Sequence, residues 1–330
     1  MWTTWWPFIP GTLAESVNMK STQKIISLQE IKNDLILSEE ARKNLRFDHN
    51  LQSFLDGNTH VLSNNEFIQR LTEILLAPEK PNDAQLGQLF GRLGAVAVIS
   101  DQALRERVLA LLSQSIVHLL RRNDREMLLL LAPACWKWLE YETEVLSGLE
   151  VMHRRVEEIT DWLLLNRYWT EAEKIMRSLS RIRSGRLDKS KTIVTLVTRT
   201  IENLSNRGVI EALTDGYLRE QPERRRGISS LLTALGRPAA VYLLRRIFES
   251  HSRGERLNLI ELAAGFGPTI VPILTENLDK KPPWAALRNI ICIVAALGDP
   301  GLYRIIRPYL DHEDERVQRE MISSVVKLGG

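Results

Sequence analysis

Metal binding and nucleophilic attack need His, Cys, Asp or Glu side chains that converge, and this 330-residue chain offers few groupings to consider. His49, His60, His118, His153, His251 and His312 are scattered, with no i, i+4 pair and no CxxC. His118 in "SIVHLLRR" reads as a helix histidine, and His312 in "DHEDER" as a solvated one. Cys135 ("LAPACWKWLE") and Cys292 ("IICIVAAL") sit in apolar helical patterns and read as buried free thiols, not as a disulfide framework. The acidic run Asp311, Glu313, Asp314 and Glu315 lacks the glycine and ligand spacing of a calcium loop. It reads as a helix start, with Asp314 or Asp311 as the cap. Glu157 and Glu158 are adjacent, so they face different ways on a helix. There is no GxxxxGK[ST], no GxGxxG after a strand and no GxSxG. No catalytic, cofactor-binding or metal-binding residue is assigned, and no cofactor is expected.

Arginines offer a different chemistry, anion recognition. "RSLSRIRSGRLDKSK" holds Arg177, Arg181, Arg183, Arg186, Lys189 and Lys191. "ERRRG" adds Arg224, Arg225 and Arg226, and the next unit adds Arg245, Arg246, Arg253 and Arg256. Turns of successive hairpins can align, so the last two groups could form one basic strip. Ion-paired, solvated helix ends are the plainer reading; an acidic partner or nucleic acid is the other. No aromatic stands nearby for base stacking. Net charge is only +3 and evenly spread, which argues against a general phosphate-backbone binder.

These groups must be carried by helices. The pairs Leu235-Gly236, Phe266-Gly267, Leu297-Gly298 and Leu328-Gly329 recur every 31 residues. The same step links Ile228, Leu259, Ile290 and Met321, then Leu232, Ala263, Val294 and Val325. Leu243, Leu274 and Ile305 form a further apolar series, as do Ile247, Leu278 and Tyr309. A period of 31 fits two short helices and two turns. Each unit opens on Gly and Pro ("GRPAA", "GPTIV", "GDPGL"), and its second helix closes on Gly, suited to a left-handed cap.

Upstream, helices are expected near 83–98, 101–121, 125–148, 149–166, 169–182 and 189–205, with Asn166-Arg167 in a hairpin turn. "VLSNNEFIQRLTEILLAPEK" reads as a capping box of Ser63 and Glu66, flanked by Leu62 and Phe67. Much of 10–60 reads as polar linker or weakly ordered chain. Its tip, "WTTWWPFIP", groups Trp2, Trp5, Trp6 and Phe8, which are costly to leave in water. They are expected to dock on the chain's own helices, on a partner or at a membrane interface. No apolar run is long enough to span a bilayer, and "MWTTWWPFIPG" is no convincing signal peptide, so the expected location is cytoplasmic.

"AALRNIICIVAALGDPGLYRIIRPYLDHEDERVQREMISSVVKLGG" resembles the HEAT-like repeats of bacterial proteins, including the short form in phycobilin lyase subunits. The resemblance is clearest over 207–330. It implies an all-α fold, a right-handed α-solenoid of antiparallel helix pairs. It also implies structural ladder roles for Arg288, Asp299 and Arg319. Arg237 and Pro268 replace the aspartate of the pattern, and Leu257 the arginine.

The expected organisation is 1–60, a Trp-rich tip and polar linker; 61–206, irregular helical hairpins; and 207–330, repeats at 207–236, 237–267, 268–298 and 299–330. Such units stack because none buries its own apolar face. The functional expectation is a non-catalytic scaffold that binds a partner protein, with Trp2, Trp5, Trp6, Phe8, Arg224, Arg225, Arg245, Arg246, Arg253 and Arg256 as candidate contacts. Nucleic-acid binding through the basic turns and a bilin lyase-like enzyme subunit are the alternatives. The last helix keeps an inner-unit apolar stripe up to "KLGG", so this end is expected either to continue or to pair with another subunit.

Overall fold

The computed structural model describes residues 28–76, 83–96 and 101–328. Trp2, Trp5, Trp6 and Phe8 lie outside the described residues. Among those residues the fold is all-α: sixteen α-helices, short 3₁₀ turns and no strand. The chain divides into two units, residues 1–56 and 57–330. In the first, α1 (Leu28–Leu55) is a single helix of 28 residues, within the stretch read from sequence as polar linker. Its apolar periodicity is interrupted, but "LSEEARKNL" is dominated by strong helix formers.

The second unit begins with a 3₁₀ turn (Thr59–Ser63) and α2 (Asn65–Leu76). Ser63 is taken up in that turn, so the cap expected of it falls to Asn64. The Asn64 side chain accepts from the Glu66 and Phe67 amides at 2.9 and 3.2 Å. Leu62 and Phe67 are buried around this start. The chain continues through α3 (Asp83–Ala95), α4 (Gln102–Arg122), α5 (Arg125–Tyr141), α6 (Leu149–Leu165), α7 (Trp169–Arg183) and α8 (Lys191–Leu204). Asp101, Asp124 and Ser190 cap α4, α5 and α8 as the dipole favours.

Four helix pairs follow. They are α9 (Arg207–Arg219) with α10 (Pro222–Leu235), α11 (Arg237–Glu249) with α12 (Arg253–Ala264), α13 (Val271–Asp279) with α14 (Trp284–Leu297), and α15 (Tyr303–Ile306) with α16 (Glu315–Lys327). Each fits the 31-residue spacing. Ile228, Leu259, Ile290 and Met321 are all fully buried, one in the second helix of each pair. Replacing such a side chain by alanine typically costs about 2–5 kcal/mol. Gly236, Gly267 and Gly298 have φ of 75°, 58° and 67°, so the recurring glycine meets a real backbone demand at the end of a pair. The last pair is more open: Val325, Ile305 and Tyr309 are half-buried, and Ile322 and Val326 on α16 are 64% and 71% exposed.

Helices also pack beyond their own pair. α3 packs on α5, α5 on α7 and α7 on α10, while α12 packs on α14 and α14 on α16. α2, α4, α6 and α8 are likewise successive neighbours. Asn123 and Arg167, at φ of 51° and 66°, turn the chain after α4 and α6. These two turns are tied together. Trp162 Nε1 donates to Asn123 Oδ1 at 2.9 Å, Trp162 stacks on Tyr168 at 5.4 Å, and the Arg125 guanidinium lies 5.0 Å from the Tyr168 ring centre.

Two buried polar features depart from simple apolar packing. The chain expected to stay helical to 148 leaves α5 at Tyr141, because Glu142 turns inward. Glu142 Oε1 accepts from Arg105 Nη1 at 3.2 Å, with the side chains 2% and 6% exposed. Arg105 also reaches Glu144, and Lys189 Nζ donates to the Glu140 and Glu142 carbonyls at 2.7 and 2.6 Å. His153 on α6 is the second feature. It is 3% exposed, packs edge-on against Trp138 at 5.4 Å, and neither ring nitrogen has a hydrogen-bond partner.

Two predictions follow from these groups. Arg105→Ala or Glu142→Ala strands one buried charge and is expected to cost about 3–5 kcal/mol in urea unfolding. The double change Arg105→Met, Glu142→Leu should recover most of that loss; a double variant as unstable as the singles would refute the account. Burial pushes the His153 imidazole down to about 4 from an ordinary 6.5. The folded state therefore holds it neutral while the unfolded chain takes up a proton. Stability should be full above pH 6.5 and fall as pH drops toward 4, by about 3 kcal/mol from this group. His153→Leu should flatten the stability curve across that window, measured by denaturation at several pH values.

Candidate functional site

The buried stripe of α7 is Ala172, Ile175, Met176, Leu179 and Ile182. That stripe leaves Glu173, Arg177, Arg181 and Ser184 outside the core, and Arg226, Ser229, Ser230 and Thr233 occupy the corresponding part of α10. Between them lies a cleft of about 620 Å³. The two helices run in the same sense. An added Cβ at Gly227, near the start of α10, would meet Glu173 Oε2 at 3.3 Å, and Arg183 at the end of α7 donates to the Ala234 carbonyl at 3.0 Å. A left-handed cap fixes the α7 end of the cleft. Gly185 has φ 73°, its amide donates to the Ile182 carbonyl, and the Arg186 amide donates to the Arg181 carbonyl at 2.8 Å. Arg186 is thereby set at the mouth.

Five arginines and one glutamate line this cleft: Arg177, Arg181, Arg183, Arg186 and Arg226 against Glu173. Arg177 is paired with Glu173 at 2.8 Å, and Arg181 with Glu140 at 2.8 Å. Arg186 and Arg226 are exposed and have no partner among the described residues. Hydroxyls complete the lining. Ser180 Oγ is shielded from water and unbonded, and the Ser230 hydroxyl is likewise without a partner in the protein. Planar guanidinium forks beside hydroxyl donors suit an anionic group.

Burial pushes the Cys135 and Cys292 thiols up to about 12, which keeps both protonated at neutral pH. Among the described residues no group of three or more His, Cys, Asp or Glu could hold a metal ion. His153 lines a small cleft of about 230 Å³ with Glu150, Glu157 and Arg199. Its carboxylates are engaged: Glu150 with Arg199 at 3.3 Å, and Glu157 with Asn203 at 2.9 Å.

The arginines marked in the sequence are mostly paired within the chain, in line with the plainer reading of ion-paired helix ends. Arg224 faces Glu220 at 4.0 Å, and Arg225 bonds the Glu220 carbonyl at 3.0 Å and Asn258 at 3.3 Å. Arg245 pairs with Glu249 at 2.8 Å, and Arg246 with Glu255 at 2.9 Å. Arg256 donates to the Ser250 carbonyl at 2.8 Å; Arg253 is exposed. Arg246 lines a cleft with Asp215 and Glu255, and Arg245 one with Glu249 and Glu276. These two clefts are of mixed charge. Arg226 instead joins the α7 arginines, a juxtaposition across more than 40 residues that local spacing does not reveal.

The ladder residues also separate. Arg288 on α14 faces Glu320 on α16 at 3.7 Å, a link between successive pairs. Asp299 caps the turn after Gly298 by accepting from the Gly301 amide at 2.8 Å. Arg319 is exposed and pairs with Glu315 on its own helix at 3.0 Å. Asp314 does cap α16, accepting from the Arg316 amide at 2.9 Å; the bonded Arg316 guanidinium holds its carboxyl down to about 2. Among the described residues no single helix is long and apolar enough to cross a membrane.

No family model matches the chain, and no curated protein matches it significantly. One solved structure, described as an engineered protein, is similar at 14% identity and a TM-score of 0.35, over 79% of this chain and 96% of that one. A likeness of that size carries no argument about function.

Proposed function

We propose that this chain is a non-catalytic helical-repeat scaffold, a cytoplasmic right-handed α-solenoid with HEAT-like pairs toward its C-terminal end, that binds a partner protein. The observation that carries this reading is the α7–α10 cleft. Its guanidinium groups exceed its carboxylates, and two of them have no partner in the chain. Surplus charge held on rigid, buried-stripe helices is a recognition surface in waiting, and stacked helix pairs expose many such surfaces. The fold reading rests on the 31-residue recurrence and on the resemblance; the functional step is an inference from the surface, not from fold alone.

Nucleic acid is the weaker occupant. Two other clefts that hold arginines also carry Asp215, Glu255, Glu249 and Glu276, so neither offers a purely basic surface to a phosphate backbone. Among the described residues no Trp, Tyr or Phe lines the α7–α10 cleft for stacking.

The test is affinity capture from nuclease-treated source lysate, comparing the wild-type chain with the double variant Arg186→Glu, Arg226→Glu. A protein retained by the wild type and lost with the variant is the expected result. Retention of the same proteins by both would remove the cleft as the binding site. Loss of all specific capture after nuclease would instead favour nucleic acid.

A further inference from the structure

We propose that the α7–α10 cleft recognises a phosphorylated serine or threonine side chain on a segment of the partner protein. The inference rests on the partner-binding reading above and specifies the ligand of that site.

Charge decides the class. Five guanidinium groups face the cleft, and Glu173 and Glu140 balance two of them. The C-terminal ends of α7 and α10 both lie here, shown by the Arg181 and Ala234 carbonyls, and each contributes roughly half a negative charge. The residue is a surplus of roughly two positive charges, matched by a phosphate monoester that carries about −1.5 to −2 near neutral pH. A single carboxylate would leave half of that surplus unmatched.

Donor geometry points the same way. Among the described residues, Arg186 and Arg226 present two free forks, and the exposed Ser230 offers a hydroxyl without a partner. A phosphate has three oxygens to accept from such a set, whereas a carboxylate has two.

Size argues against larger polyanions. At about 620 Å³ the cleft is in the range of a small-ligand site, enough for one modified side chain and its neighbours.

The experiment uses the full chain and immobilised peptide libraries with randomised flanks and a fixed centre of phosphoserine, serine or glutamate. Inorganic phosphate and a twelve-nucleotide oligothymidylate are the soluble competitors. The phosphoserine library should retain at least about tenfold more protein than the serine or glutamate libraries, as expected for charge-assisted forks. Millimolar phosphate should release it. Arg186→Glu, Arg226→Glu should abolish retention, while the matched reversal Arg121→Glu, Arg304→Glu, at exposed arginines outside the cleft, should change it less than about twofold. Both double variants alter exposed side chains with no partner, so thermal unfolding should stay at the wild-type midpoint.

Equal retention by the glutamate library would overturn the phosphate specificity and leave the partner-binding reading standing. No retention by any library would overturn the proposal too, and lysate capture would then judge the partner reading by itself. Equal losses in the two variants would reduce the effect to diffuse charge. Oligothymidylate releasing the protein more effectively than phosphate would transfer the cleft to nucleic acid.

Discussion

A pair of short helices cannot enclose its own apolar face, and that constraint organises the second unit. Ile228, Leu259, Ile290 and Met321 are buried only because another helix covers each of them. The side chains that pack between neighbours are therefore fixed in kind, and the polar faces between them are free to vary. Buried apolar area supplies the driving force, roughly 2 kcal/mol for each large aliphatic side chain removed from water. The free faces supply whatever specificity the protein has.

Helix ends then set the character of those faces. A helix C-terminus attracts cations, and arginines collect there on α7 and near the turns of the following pairs. In most places the charge is spent locally: Arg245 on Glu249, Arg246 on Glu255, Arg237 on Glu276 at 2.7 Å, Arg319 on Glu315. Exposed pairs of this kind contribute little to stability, about 0–1 kcal/mol each. Arg105 and Glu142 differ because both are buried, and their mutual charge holds the chain where α5 ends. The α7–α10 cleft differs again, since its charge is neither buried in a pair nor fully balanced.

The repeating half of the fold was legible from sequence, and the reason is periodicity. A step of 31 residues lands on fully buried side chains in the second helix of four successive pairs, and Gly236, Gly267 and Gly298 adopt the positive φ that glycine allows. Local detail was less legible. Ser63 reads as a cap until the 3₁₀ turn before α2 claims it and hands the role to Asn64. Glu142 reads as one more helical residue until Arg105, 37 positions earlier, draws it inward. α1 carries helix formers without a clean apolar stripe, and stripe was the signal used. Each miss is a place where a distant or neighbouring contact outweighed the local pattern.

The cleft is the clearest case of that kind. Arg177, Arg181, Arg183 and Arg186 stand together in the sequence, and so do Arg224, Arg225 and Arg226, yet nothing local distinguishes the last of these from its neighbours. On α10 the three point to different surroundings: Arg224 toward Glu220, Arg225 toward Tyr217 and Asn258, Arg226 into the cleft. Successive positions on a helix diverge by about 100°, and these three arginines point apart accordingly. The cleft is instead assembled from α7 and α10, brought together by packing that skips α8 and α9. Its charge can therefore change through a polar-face residue such as Arg226 while the buried pattern of both helices stays as it is.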